Sequence, residues 1–464
     1  METSLKGSIG RFQMFAFGFG SIIGSAWCVL VGSWLASAGP GGAVLGFLAG
    51  GIVVCCIGAC YAELTSRVPV TGTEFSYVLH IFGRPLAFFV GWFVALAWIC
   101  VTIFEGLAIA WLFERFAPGV PDVALYTVFG NVVTRNQLII GLSGAPLIAL
   151  LNYHGGSLLA RFHSTLTYGF IAMALGFVVL MLFQGQPSNL QPLFPAPAPV
   201  WWQGALGIFA QCAFLLCGFQ AVSQLVEERA HHISLGLVCR ILVLAIGAAT
   251  VFYCLVVVST ATATSWSALP NGSLAFVEAV RGLRWGHVLA PIVLLTAMLS
   301  LLKTWNGVFM MAARTLIALT RNGFLPSLFS RAPGRSGVPL PIVLAILIPN
   351  LMGVFLGRGA IGLLVDTITI SLVLGYAICC VGLLMLRRRE TVAHPGVVSV
   401  GSAVLAVGVI GSIAMAGAAL VMPPIQLGGF PLVYLVFPGW ALIGALTFFG
   451  MRAKTQHNAD ISTL

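Results

Sequence analysis

Recurring apolar runs constrain this chain more than any other feature. Twelve segments approach or exceed the roughly 20 residues that a helix needs to cross a bilayer. They cover about 14–37, 42–65, 86–113, 136–152, 162–183, 204–226, 236–259, 287–317, 339–357, 361–386, 397–421 and 430–451. Hydrocarbon satisfies no backbone hydrogen bond, so spans of this kind are helices. With 59% hydrophobic and 7% charged residues, the composition lies far from that of soluble domains. The chain reads as an all-α polytopic membrane protein whose first partner is the lipid bilayer.

The formal charge of +10 raises a nucleic-acid partner, but basic residues confined to short connections between apolar runs are topology signals. No nucleic-acid binding is expected. Sixteen Lys and Arg residues fall on the side of the N-terminus, and Arg115, Arg135, Arg281, Arg284 and Arg358 fall opposite. Both termini are therefore expected in the cytoplasm. Short tails and the lack of large loops favour a bacterial inner membrane. The N-terminal run, from about Met14 to Ser37, is too long for a signal-peptide core and is interrupted by glycines. The eleven cysteines lie in or beside apolar segments without a CxxC pair, which suits packing rather than disulfides or metal. The eight histidines are read in loops or at span ends, with no metal spacing.

Two spans carry breaks. "GFGSIIGSAW", Gly18 to Trp27, places three glycines inside an apolar run, and "FAQCAFLLCGFQ", Phe209 to Gln220, places Gly218 among cysteines and glutamines. An interior glycine costs a helix about 1 kcal/mol relative to alanine, and an opened helix frees backbone groups that lipid cannot satisfy. Transporters built from inverted repeats place such breaks at corresponding positions, with substrate at the midplane. The freed N–H groups suit a carboxylate and the freed carbonyls an ammonium. Gly20 and Gly24 also form a GxxxG pair, so the stretch alone fits close helix packing equally well.

Four motifs decide the matter. "GFGSIIGSAW", "CYAELTSRVPVTGTEFSYV" (Cys60 to Val78), "GFQAVSQLVEE" (Gly218 to Glu228) and "AARTLIALTRNGFLP" (Ala312 to Pro326) occur in order on a twelve-span chain. Together they resemble the amino acid-polyamine-organocation superfamily of transporters, over roughly the first ten spans. The resemblance implies a 5+5 inverted repeat, with residues 1–183 as the first repeat, 184–390 as the second and 391–464 holding two extra spans and a tail. It also implies alternating access, in which spans 1, 2, 6 and 7 move against spans 3, 4, 8 and 9.

Carried over by position, Ser21, Ile22, Ile23, Gly24 and Ser25 would offer backbone amides to a substrate carboxylate. Phe214 would cover the substrate from outside or simply pack. Ala213, Cys217 and Gly218 would supply carbonyls or walls, and Thr102 is a further candidate contact. A charge at the bilayer centre costs about 2.5–3.5 kcal/mol on insertion scales, which makes intramembrane charges functional candidates. Glu105, in span 3, would lie by the substrate side chain or the proton path, or else serve a nearby hydroxyl.

Lys303, in span 8 beside Thr304, falls where sodium-coupled relatives hold a sodium between the span 1 break and span 8 hydroxyls. Proton-coupled members often place a lysine in span 5 for this purpose, whereas Phe170 falls there in this chain. The positive charge is thus expected to have moved from span 5 to span 8, either as a proton carrier or as a static charge. Asp366 opens span 10 as a gate or an interfacial acid. Glu227, Glu228 and Arg229 suggest loop ion pairs, and Gln220 replaces a glutamate of the motif.

The expected function is secondary transport of amino acids or related amines, sodium-independent and proton-coupled, with a lean towards neutral amino acids. An obligate exchanger of the same fold is the alternative. An embedded enzyme would need catalytic clusters such as HExxH or GxSxG, and neither occurs. No carbonyl filter or ring of charges suggests a channel. Neither a cofactor nor an obligatory protein partner is expected.

Overall fold

The structure, a computed structural model, describes residues 10–70, 72–155, 157–195, 201–224, 233–269, 274–331, 333–334, 336–389, 398–421, 426–427 and 430–462. Side chains of 157–162, 201, 426–427, 430 and 452–462 are not among those described. Glu227, Glu228, Arg229, His231 and His232 lie outside the described residues.

The chain opens with α1 (Arg11–Ile22), a short α2 (Ala26–Val29), α3 (Val31–Arg67), α4 (Thr73–Phe82) and α5 (Arg84–Phe116). A hairpin of β1 (Ala124–Val128) and β2 (Asn131–Thr134) leads to α6 (Arg135–His154) and α7 (Ser157–Gln184). Then follow α8 (Trp201–Leu215), α9 (Gln220–Gln224), α10 (Leu235–Ala263), α11 (Ala275–Arg281), α12 (Gly286–Arg321), α13 (Leu340–Val354) and α14 (Ile361–Arg389). The last elements are α15 (Ser402–Val421), a second hairpin of β3 (Gln426–Leu427) and β4 (Phe430–Pro431), and α16 (Val433–Ser462).

Ten stretches among the described residues are long and apolar enough to cross a membrane. Helices α6 and α13 occupy the fourth and ninth expected spans, and α13 falls short of a full crossing length. The expectation of helices alone needs a small correction, because two short hairpins and the loop helix α4 lie between spans. These elements, at most 10 residues long and set beside glycines, are too short to carry a period that can be read in advance. Gly72 (φ +103°) and Gly83 (φ +84°) bracket α4, and Gly39 (φ +66°) separates the first two spans before Pro40. Thr134 caps α6 by accepting from the Gln137 N–H, and Ser234 caps α10 through the Leu237 N–H.

The helices pack in two groups. Helix α3 packs on both α8 and α10, with α1 against α10, while α5, α6, α12 and α13 form a second set. Helix α7 touches α1, α10 and α12, and α14 rests on α5, α8 and α15. Helix α5 is the most enclosed span and α16 the least. The proline-rich connector before α8 is anchored where described: the Gly41 N–H donates to the Leu193 carbonyl at 2.9 Å, and Asn189 Nδ2 to the Thr262 carbonyl at 2.9 Å.

Candidate functional site

Helix α1 ends at Ile22 because Ile23 turns to an extended conformation (φ −92°, ψ 97°), and α2 restarts at Ala26. Three carbonyls are released at this break, and side chains of α12 meet them. Lys303 Nζ donates to the Gly20 carbonyl at 2.7 Å and to the Ile23 carbonyl at 3.0 Å. Thr304 Oγ1 reaches the same two oxygens at 3.4 and 3.3 Å, and Ser300 Oγ donates to the Gly24 carbonyl at 3.1 Å. Ser300, Lys303 and Thr304 share one helix face through i, i+3 and i+4 spacing. The Lys303 ammonium also stands 5.2 Å from the centre of the Phe170 ring. Lysine and phenylalanine are therefore neighbours at the place where the charge was expected to have changed helices.

On the other side of the break, Ser25 Oγ donates to Glu105 Oε2 at 3.2 Å. A Cβ at Gly24 would fall 2.8 Å from Glu105 Oε1. Glycine is required there by close approach, whereas Gly20 packs against Thr167 and His163 of α7. Both glycines of the GxxxG pair thus lie close against neighbouring helices, Gly20 against α7 and Gly24 against α5 and α12. The amide donors differ from expectation. Ser21 and Ile22 lie inside α1, and the Ile23 N–H donates to the Phe19 carbonyl at 3.0 Å. The unpaired helix-start amides are those of Gly24, Ser25 and Ala26, as the first turn of a helix leaves its N–H groups without intrahelical partners.

The second break separates α8 from α9, and Gly218 takes φ +99° within it. The Gly218 N–H donates to Gln220 Oε1 at 2.9 Å. Gln220 Nε2 in turn donates to Glu74 Oε1 and to the Tyr376 hydroxyl, both at 3.1 Å, and Tyr376 donates to the Ala213 carbonyl at 3.2 Å. Tyr61 and Thr73 also donate to Glu74. Gln220 and, from α14, Tyr376 thereby satisfy the Gly218 N–H and the Ala213 carbonyl at the break, while α3 and α4 hold the Gln220 side chain through Glu74. Glu74 lies on α4, outside the apolar spans, and burial pushes its carboxyl above the usual carboxylate range, opposed by hydrogen bonds from Thr73, Gln220 and Tyr61. The amide that stands where the motif has a glutamate thus donates to a carboxyl of the loop helix.

A small cavity of about 20 Å³ lies between the two breaks. Ser21, Ile22, Gly24 and Ser25 line it from span 1, Glu105 and Phe104 from α5, Phe214 and Cys217 from span 6, and Thr304 from α12. Phe214 meets Phe104 edge-on, with ring centres 5.4 Å apart. Ile23 and Lys303 stand behind this wall, joined through the Ile23 carbonyl, while Ala213 and Gly218 are held by the Gln220 and Tyr376 hydrogen bonds. Two further expected residues, Thr102 and Asp366, also stand off the cavity wall and take no part in either break. Thr102 turns its hydroxyl to the Ile99 carbonyl at 2.7 Å. Asp366 is buried in α14, and its Oδ2 has no hydrogen-bond partner.

Ser300, Tyr253, Glu74, Tyr376 and His163 were not anticipated. Ser300 was readable, one turn before Thr304 on the same face. The others reach the site only through tertiary packing. His163 stands at the start of the α7 span, in keeping with the span-end reading, and is nonetheless only 3% exposed. No group of three or more His, Cys, Asp or Glu among the described residues is arranged to hold a metal.

Ten long apolar helices, two of them broken and facing each other across a central cavity, define an integral membrane protein built like a permease. A family profile described as amino acid permease matches residues 9–446, and the chain belongs to that family. The branched-chain amino acid permease BcaP of Bacillus subtilis is 25% identical over 359 residues, 73% of this chain and 72% of its own length. The methylthioribose transporter of the same organism is 25% identical over 404 residues, covering 83% and 82%. Its aspartate-proton symporter is 25% identical over 407 residues, covering 83% and 74%. These matches agree with the family resemblance carried by the four motifs.

Proposed function

We propose that this protein is a secondary transporter that moves amino acids by alternating access, independent of sodium and coupled to protons. The observation that carries the coupling is the Lys303 ammonium bonded to the Gly20 and Ile23 carbonyls at the span 1 break. A fixed cation there occupies the carbonyls that a sodium ion would need. Loss of its proton would free these carbonyls and loosen α1 from α12, which sit in different packing groups. In this reading the twelve spans form a 5+5 inverted repeat plus two, with repeats at 1–183 and 184–390 and the remainder at 391–464. Both termini lie in the cytoplasm of a bacterium, beneath its inner membrane.

The substrate carboxylate docks on the amides of Gly24, Ser25 and Ala26, and the amino group faces Glu105. The walls supplied by Ile22, Phe104, Phe214 and Cys217 suit a neutral side chain. The named relatives include permeases for amino acids and one for methylthioribose, so the family alone leaves the side chain open. A cavity of about 20 Å³ holds little more than one water. Binding therefore requires Phe214 and Phe104 to part.

The test is uptake of a labelled amino acid panel into proteoliposomes, with and without an inward proton gradient, for wild type and Lys303→Ala. Gradient-driven accumulation that the substitution abolishes while counterflow survives is the expected result. The second reading is an obligate exchanger, and the same two lysine hydrogen bonds favour it if they hold a permanent ammonium. Uptake that ignores the gradient and requires internal substrate would establish that reading instead.

A further inference from the structure

The His163 imidazole is buried deep in the protein, yet its Nε2 has no hydrogen-bond partner among the described residues. A buried polar atom left unpaired is destabilising. Its ring is stacked on Phe17, with centres 4.5 Å apart and planes within 8°, so it cannot swing freely to find one. Histidine is also the side chain whose ordinary proton affinity lies nearest neutrality.

Its place relative to Lys303 is specific. Gly20 stands between them: its carbonyl accepts from Lys303 Nζ at 2.7 Å, while a Cβ on its other side would lie 3.1 Å from His163 Nε2. A Cβ on Gly307 of α12 would lie 4.0 Å from His163 Cε1. Glycines of α1 and α12 thus keep side chains out of the ground between the imidazole and the ammonium. Along α7, His163, Thr167 and Phe170 follow i, i+4, i+7 spacing and share one face. Phe170 packs at the level of the ammonium, and His163 lies two turns, about 10 Å, nearer the start of the helix.

Lys303 is the titratable group that faces His163 from α12. Helix α1 presents Phe17 and Gly20, both uncharged, and Arg240 of α10 is exposed at the helix surface.

We infer that His163 is the positioned group through which Lys303 exchanges its proton with the solvent on the side where α7 begins. This rests on the proton-coupled reading above. When α1 moves away from α12, Lys303 loses the Gly20 and Ile23 carbonyls. An Nζ–H bond then breaks with its electron pair left on Nζ, the proton passes to water entering the space that α1 vacates, and that water hands a proton on to the His163 Nε2 lone pair. Neutral amine and imidazolium result, and the imidazolium passes the same proton to water. Intramembrane histidines in relays of this type pair with a second ionisable group, here Lys303.

The test uses full-length protein in liposomes containing a pH-sensitive dye, comparing wild type, His163→Gln and His163→Phe, the last retaining an aromatic ring against Phe17. Proton entry with substrate, gradient-driven uptake and counterflow are all measured. Expected is a slowing of proton entry and gradient-driven uptake of about tenfold or more in both variants, with counterflow preserved. Wild-type protein that moves no protons with substrate would remove the coupling reading and this inference together. A coupled wild type whose variants remain equally coupled would overturn the role of His163 alone. Loss of counterflow in both variants would make His163 a packing residue of α7 and overturn the inference as well.

Discussion

A Cβ placed on Gly218 would lie 2.4 Å from the Ser21 carbonyl oxygen, so the two broken spans touch backbone to backbone at the edge of the central cavity. Only glycine permits this contact, and its φ of +99° independently disfavours any side chain.

Gly218→Ala is expected to abolish uptake and to lower stability by roughly 1–3 kcal/mol from the backbone conformation alone. Gly207→Ala, also on α8, supplies the control, since nothing lies within 4 Å of a Cβ there. Thermal unfolding in detergent together with counterflow checks the pair. Equal tolerance of both substitutions would refute the contact argument.

Glu105 receives one described hydrogen bond, from Ser25, and lines the cavity. Glu105→Gln keeps its shape and removes its charge. If the carboxylate holds the substrate amino group, the loss is about 1.5–3 kcal/mol, or about 10- to 150-fold in Kd. Equilibrium binding of radiolabelled substrate measures it, and unchanged affinity would reduce Glu105 to a partner of Ser25.

Gln220→Glu places a second carboxylate 3.1 Å from Glu74, where the wild type has an amide donor. Two carboxylates at that distance cannot both ionise cheaply. The variant should lose stability as pH rises, because one of the pair must give up its proton, and regain it in acid. Adding Glu74→Gln restores one donor and one acceptor and should flatten this dependence. Melting temperatures across pH for the single and double variants decide the matter.

Glu63, at the end of α3, is fully buried and accepts from Arg67 Nη2 at 2.8 Å, from Arg387 Nε at 2.9 Å and from the Val400 N–H at 2.8 Å. This cluster ties α3 to α14 and to the approach of α15. Arg387→Ala should cost about 3 kcal/mol, the scale for removing one partner from a buried ion pair. Arg387→Lys recovers only part, since an ammonium cannot reproduce the fork of a guanidinium. Thermal unfolding of the two variants in detergent tests this order.

The sequence by itself determined the membrane class, the two breaks and the family. Each rests on local signals: apolar runs of crossing length, glycines within them, and short motifs in fixed order. It also singled out Lys303, because a lone cation in an apolar run is conspicuous without any structure. Tertiary structure decided which atoms meet at the breaks. Glu74 stands 146 residues from Gln220, and Lys303 stands 283 from Gly20. No periodicity along one helix encodes contacts of that range. The burial of His163 is hidden in the sequence for the same reason: it stands beside polar residues at the start of an apolar run, and only the packing of α1 and α12 against α7 encloses it. Thr102 was overvalued because position along α5 was known but rotation about its axis was not. Hydrophobicity all round a membrane helix hides which face looks inward, and the neighbours that settle it come from distant parts of the chain.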